Sequence, residues 1–308
     1  MHQGRGEFAF IDWLRSKTPA HSRVALGPGD DAAVLQFPGP AECLITSDML
    51  MEGTCFRLEE AGPRLVGRKA MSVNLSDIAA MAGRPLAAVV SVALPRAGGR
   101  ALAEELYLGL REVADQFDTA IAGGDTNTWD GPLVIAVTIL GEATPRGPVL
   151  RSGARVGDRL LVTGPLGGSI LGKHLEFTPR VREATELHAV ADVHAMIDIS
   201  DGLAADVGHM CAESRCGARI WAQAIPISQD AHRIHDGRSP LEHALGDGED
   251  FELVAAVSPA DAERLVREQP ITGIQLACIG ECVEEGLWLE KNGHVGKLEP
   301  LGYAHPMD

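Results

Sequence analysis

The chain has 308 residues, of which 45% are hydrophobic, 23% charged and 4% aromatic. A chain of this length buries roughly 75% of its unfolded surface and needs no disulfide or metal staple, and the composition excludes a disordered chain, a collagen-like repeat and a small disulfide scaffold. The formal net charge of −16 argues against a nucleic-acid partner, which would call for a basic patch.

No apolar run approaches the roughly 20 residues of a membrane helix, so no membrane partner is expected. The opening MHQGRGEFAFIDWLRSK lacks an apolar signal core, and the expectation is a mature, cytoplasmic protein.

Strand and helix signals alternate along the chain. Residues 42–46 read as a strand, and residues 64–82 as a helix stopped by Gly83 and Pro85. Residues 86–94 form a β-rich run. Leu102, Leu106, Leu110, Val113 and Phe117 share one helical face. Residues 119–122 and 133–140 are further strands. A Gly-, Pro- and Arg-rich stretch at 141–157 marks a domain boundary. Beyond it come a strand at 159–163, a Gly-rich turn GPLGGS at 164–169, a strand at 193–199 and a helix at 203–213. Ser258 and Pro259 open a last helix running to about residue 268, with Ser at the N-cap and Pro at the first position. The pattern predicts α/β or α+β architecture.

The six cysteines form no CxxC pair and read as free thiols. The histidines form no HExxH, and His209, inside a predicted helix, reads as a packing or surface residue. The aspartates are more informative. Asp30 and Asp31 follow a Gly-Pro turn, Asp48 and Asp125 read as strand-end residues, Asp77 lies late in the first long helix, and Asp198 and Asp201 flank the end of another strand. One Asp beside Gly or Ser is an ordinary turn former. Several converging carboxylates repel one another unless cations lie between them, and hard oxygen donors suit Mg²⁺ with phosphate. Gly27, Gly29, Gly123, Gly124, Gly164, Gly167, Gly168 and Gly202 adjoin these segments and allow close approach of backbone to a phosphate. Neither a P-loop nor a DFG triplet is present.

The segments GPGDDAAVL, ITSDMLMEGTCF, GRKAMSVNLSDIAAMAGRP, AGGDTN, LRSGARVGD, IDISDGLAADVGH and GDGEDFELV, in this order, resemble the thiamine-monophosphate kinases of the aminoimidazole-ribonucleotide-synthetase-like (PurM-like) superfamily. The resemblance implies a two-domain PurM-like α/β (α+β) fold. Residues 1–145 would form the ATP- and Mg-binding, dimerising domain, and residues 146–308 the domain that completes the nucleotide and substrate site. It implies a homodimer, with ATP as co-substrate and several Mg²⁺ ions. Asp30, Asp31, Thr46, Ser47, Asp48, Asp77, Asp125, Asp198 and Asp201 match metal positions. Gly124, Asp125, Arg151 and Ser200 match ATP contacts. Cys55, Glu249 and Tyr303 match the substrate side, with Cys55 standing where the family usually has His. The stretch 169–188 is shorter than usual, and the chain ends in GYAHPMD.

The implied reaction moves the γ-phosphoryl of ATP onto thiamine monophosphate. A phosphate monoester is already anionic, with a second pKa of about 6, so no general base is expected. Two readings compete with this one. One is a sibling ATP-dependent synthetase or dehydratase acting on an amide or carbonyl oxygen. The absence of a cysteine before Cys43 and the GYAHPMD ending disfavour its two cysteine-bearing branches. The other is a non-catalytic nucleotide- or metal-binding protein.

Overall fold

The computed structural model describes residues 24–26, 30–36, 42–97, 99–299 and 301–303. The N-terminal segment, Gly27 and Gly29, and the chain end after Tyr303 lie outside the described residues.

Two sheets organise the molecule. The first is built from β1 (Val24–Leu26), β2 (Ala33–Gln36), β3 (Glu42–Met51), β4 (Arg84–Pro95), β5 (Ala120–Trp129) and β6 (Val134–Glu142), in the order β1-β2-β3-β6-β4-β5. All its pairs are antiparallel except β4–β5, the pair joined through helix α2 (Gly99–Gln116). Parallel strands need such a crossover. The second sheet holds β7 (Arg159–Val162), β8 (Val193–Asp198), β9 (Gly217–Trp221), β10 (Leu253–Val257), β11 (Ala277–Val283), β12 (Leu287–Lys291) and β13 (His294–Lys297), in the order β13-β12-β9-β11-β7-β10-β8. Helices α3 (Lys173–Glu176), α4 (Val181–Val190), α5 (Leu203–Ser214), α6 (Pro240–Gly246) and α7 (Pro259–Glu268) accompany it. Among the described residues, no helix is long and apolar enough to cross a membrane.

Helix α1 (Leu58–Ala80) lies between the two sheets. It kinks near its start, where Gly62 has φ 74° and Pro63 follows. Beyond the kink it is buried on nearly every side, including Val66, Met71, Leu75 and Ile78. A helix buried all round is a central element, and α1 packs on β3, β6, α2, α3, α4 and β8. That is why polar residues of α1 reach both halves of the molecule. Helix α2 packs on it through the predicted face: Leu106, Leu110 and Val113 are buried, and Leu102 and Phe117 partly so.

Helix α7 begins as its sequence predicts, with Ser258 Oγ accepting from the Asp261 amide at 3.1 Å and Pro259 in the first position. Helix α6 carries a capping box between Ser239 and Glu242 that the sequence reading passed over.

Candidate active site

Thr46 and Asp48 project from β3 on the side that faces α1. Strand β3 alternates, with Leu44, Thr46 and Leu50 buried and Ser47, Met49 and Met51 exposed. Asp48 lies inside β3 and not at its end; the strand runs on because Met49–Met51 pair with Val134–Ala136 of β6. The Asp48 amide donates to Asn74 Oδ1 at 2.9 Å. One turn further along α1, Thr46 Oγ1 donates to Asp77 Oδ2. The neighbouring Ser76 donates to Asp198 Oδ2 at 2.6 Å, where Asp198 ends β8 of the other sheet.

Carboxylate oxygens of Asp31, Asp77 and Asp198 all lie within 4.8 Å of one another. Burial pushes Asp77 and Asp198 well above the usual carboxylate range, and their acidic neighbours push the same way: Asp48, Asp198 and Asp31 on Asp77, and Asp31 on Asp198, against the smaller opposing pull of Arg151 on Asp198. Burial likewise raises Asp48 to about 6 and, with Asp31 beside it, Asp30 to about 7. Left without a cation, such a cluster holds protons. Its donors are all hard oxygens, which fits Mg²⁺.

Arg151 is the described cationic side chain paired to this cluster. Its Nε and Nη2 donate to the two oxygens of Asp31, each at 2.9 Å, and its amide donates to Asp30 Oδ2 at 3.0 Å. Burial works against its charge, but Asp31 more than compensates and drives its pKa upward. Ser214 Oγ accepts from the amides of Gly153 and Ala154 and donates to the Arg151 carbonyl. The loop that carries the arginine is therefore fixed from α5.

Three site residues lie around the turn after β8. The amides of Asp201 and Gly202 both donate to Asp206 Oδ2 at 3.0 Å. Asp201, Asp206 and His209 bring ligand atoms within 4.8 Å of one another. The sequence reading treated His209 as a packing or surface residue and did not single out Asp206. The i, i+3 spacing of Asp206 and His209 on a predicted helix was the available signal. Burial and the nearby Arg151 lower His209 to about 4. Ser200 accepts from the Glu249 amide at 2.7 Å through its carbonyl, and Asp201 accepts from the Tyr303 amide at 3.0 Å in the same way.

Two of the expected substrate-side residues, Cys55 and Glu249, are linked by a side chain that the sequence reading does not single out. Lys69 of α1, with a fully buried side chain, donates to the Cys55 carbonyl at 2.7 Å and pairs with Glu249 Oε1 at 2.6 Å. The Cys55 side chain itself packs against the hydrophobic core.

Asp125 and Ser47 do not join the carboxylate cluster. Asp125 is exposed in the middle of β5, where the sequence reading expected a strand end. Its row runs Asp125–Ser91–Ala136–Met49 across the sheet, on the face opposite Thr46 and Asp48. Ser47 shares that face and bonds Thr138 Oγ1 at 2.8 Å. Gly124 has a packing reason to be glycine, because a Cβ there would lie 1.7 Å from the Val90 carbonyl oxygen.

The turn 164–169 also departs from its expected role beside phosphate. The Gly167 amide donates to Asp250 Oδ2 at 2.7 Å and the Gly168 amide to Asp247 Oδ2 at 2.9 Å. These N–H groups are satisfied inside the fold. Below them Glu252, held by Lys173 and by both forks of Arg180, anchors the turn.

The two α+β halves that meet over this cluster match the two domains of the AIR synthase related proteins. The N-terminal domain of that family matches residues 29–143, and its C-terminal domain matches residues 155–287. Over 97% of both chains, the sequence is 44% identical to a thiamine-monophosphate kinase of Rhodopirellula baltica. It is 33% identical to that of Escherichia coli over 97% of this chain and 98% of the other. The structure of AaThiL complexed with AMPPCP and TMP superposes with a TM-score of 0.84 at 29% identity, covering 97% of each chain. The chain belongs to the thiamine-monophosphate kinase family.

Proposed function

We infer that this chain transfers the γ-phosphoryl of ATP to the phosphate of thiamine monophosphate, giving thiamine diphosphate and ADP. The observation that carries the reading is the convergence of Asp31, Asp77 and Asp198, with Arg151 on Asp31, in a chain this close to thiamine-monophosphate kinases along its whole length. The acceptor is a phosphate whose second pKa is about 6, so at neutral pH it attacks without a protein base. The chain's task is to bring two polyanions into line and balance their charge.

Asp30, Asp31, Thr46, Asp48, Asp77 and Asp198 are the residues that would hold Mg²⁺, with Asp201 at the neighbouring turn and Ser47 and Asp125 on the outer sheet face. Bound there, Mg²⁺ supplies neutralisation of the phosphoryl oxygens. Arg151 orients the nucleotide phosphates. Two of its five N–H donors are committed to Asp31, which leaves those of Nη1 and the second of Nη2 for a phosphate. Gly124 and Ser200 are assigned to ATP, and Cys55, Glu249 and Tyr303 to the acceptor.

In this reading, residues 1–145 form the ATP/Mg-binding and dimerising domain and residues 146–308 the domain that completes the site. The protein acts in the cytoplasm as a homodimer. An apolar, exposed face of the first sheet supports the dimer, and that same face carries Asp125 and Ser47.

The test is an ADP-release assay with thiamine monophosphate, free thiamine and an aminoimidazole precursor side by side, with the phosphorylated product identified by ³¹P NMR. Thiamine diphosphate formed from the monophosphate alone is expected. ADP release that depends on the aminoimidazole precursor would replace this reading with that of a sibling synthetase.

A further inference from the structure

Lys69 is the one described lysine whose side chain is completely buried. An ammonium so placed is costly unless its donors are engaged. Two of its three donors are accounted for: one goes to the Cys55 carbonyl at 2.7 Å and one to Glu249 Oε1 at 2.6 Å. These acceptors come from opposite halves of the chain. Cys55 sits in the tight turn after β3, where its amide donates to the Met51 carbonyl. Glu249 sits in the loop before β10.

Glu249 also has a backbone that L residues seldom adopt. Its φ is 61°, a left-handed conformation with a cost for a residue bearing a Cβ. The conformation is held from both ends, by the hydrogen bond that the Glu249 amide donates to the Ser200 carbonyl and by the ion pair at the side chain. The pair is also one-sided: the Glu249 side chain is 35% exposed, whereas that of Lys69 is 0% exposed. One carboxylate oxygen is fixed inward while the group keeps an accessible edge. The Lys69 ammonium is sealed from any ligand, so it can act only through the residues it holds.

We propose that Lys69 is the positioning residue of the acceptor subsite. It locks Glu249 as a fixed anionic acceptor facing thiamine monophosphate, and it ties the Cys55 turn of one half to the Glu249 loop of the other. This rests on the functional reading above. Lys69 makes no bond to Asp30, Asp31, Asp48, Asp77, Asp198 or Arg151 in the described structure, so its effect falls on the acceptor and not on ATP.

The experiment measures steady-state KM for both substrates in the full-length wild type, Lys69→Met, Lys69→Arg, Glu249→Gln and the Lys69→Met/Glu249→Gln pair. Wild type must first make thiamine diphosphate; a wild type inert toward thiamine monophosphate overturns the functional reading, and this proposal with it. Given that activity, Lys69→Met raises the KM for thiamine monophosphate about tenfold or more and leaves the KM for ATP within about twofold. Glu249→Gln does the same, and the pair is no worse than the more severe single change, because both remove one coupled device. Lys69→Arg keeps the charge and protects the fold but misplaces the donors, so it gives a smaller rise confined to the acceptor. It serves as the test if Lys69→Met does not fold. An unchanged acceptor KM in a folded Lys69 variant, a parallel rise in both KM values, or single effects that multiply in the pair would each overturn the proposal.

Discussion

Asp77 faces Asp31, Asp48 and Asp198 from a desolvated turn of α1, and burial and these like charges outweigh the hydrogen bond from Thr46. In the metal-free protein Asp30, Asp48, Asp77 and Asp198 bind protons more tightly than in the unfolded chain, where such groups titrate near 3.8. A carboxylate raised in the folded state contributes stability that is complete below its unfolded pKa and is lost as pH rises through the folded one. With Asp48 near 6 and Asp30 near 7, the melting temperature of the EDTA-treated protein is expected to fall between about pH 4 and pH 7. Added Mg²⁺ restores it, and more strongly at pH 8 than at pH 5, because the ligands must first lose their protons. Asp77→Asn is expected to lower phosphoryl transfer by about 100-fold or more and to raise the metal-free melting temperature at pH 8 but hardly at pH 5. Calorimetry across pH, with and without EDTA, checks both signs; a metal-free stability that rises from pH 4 to pH 7 would falsify the repulsive cluster.

At the scale of elements, the contact between α1 and α2 positions the site, and it depends on two glycines. A Cβ on Gly67 would lie 2.1 Å from the Leu106 carbonyl oxygen, and one on Gly109 would lie 1.9 Å from that of Arg64. Both obstacles are backbone, so neither can swing aside, and the helices would have to part. Overpacking of this kind costs about 1–3 kcal/mol. Gly67→Ala and Gly109→Ala are each expected to destabilise by that amount in urea titration, whereas Gly53→Ala, in open space at φ 88°, acts only through its backbone.

Much of this layer was legible in the sequence. The face of α2, the body of α1 and the start of α7 follow from periodicity and capping chemistry, which are local. Asp48 and Asp125 were misplaced at strand ends because Ser-Asp and Gly-Gly-Asp read as turns. In the fold, β3 continues on its pairing with β6, and β5 accepts two glycines because Gly124 abuts the β4 backbone. The Gly-rich turn 164–169 misled for a related reason. Its amides meet Asp247 and Asp250, partners some eighty residues away that no local pattern announces. Lys69 was hidden in a similar way, on a helix buried on nearly every side, with one partner in the turn before the helix and the other, Glu249, on a loop of the opposite half.

At the scale of the molecule, α1 is buried against one face of the first sheet, and no described helix packs on the opposite face. Rows of that face run Val89–Thr138–Ser47 and Ala93–Val134–Met51. Met49 is 58% exposed, Val89 42% and Met51 37%. Apolar side chains grouped on a flat sheet mark an interaction surface, and Asp125 and Ser47, both assigned to metal, sit among them while turned away from Asp77. A second copy laid face to face would cover the apolar rows and enclose those two polar groups, so the complete site would need both copies. Val89→Asp tests this, because its side chain points away from the core and a surface change of this kind shifts fold stability by only about 0.5 kcal/mol. Wild type is expected to sediment at twice the chain mass, and Val89→Asp at the mass of one chain, with an unchanged far-UV spectrum and phosphoryl transfer reduced by about tenfold or more. A monomeric wild type, or a monomeric variant with full activity, would show that each chain completes its site alone and that the exposed face serves some other contact.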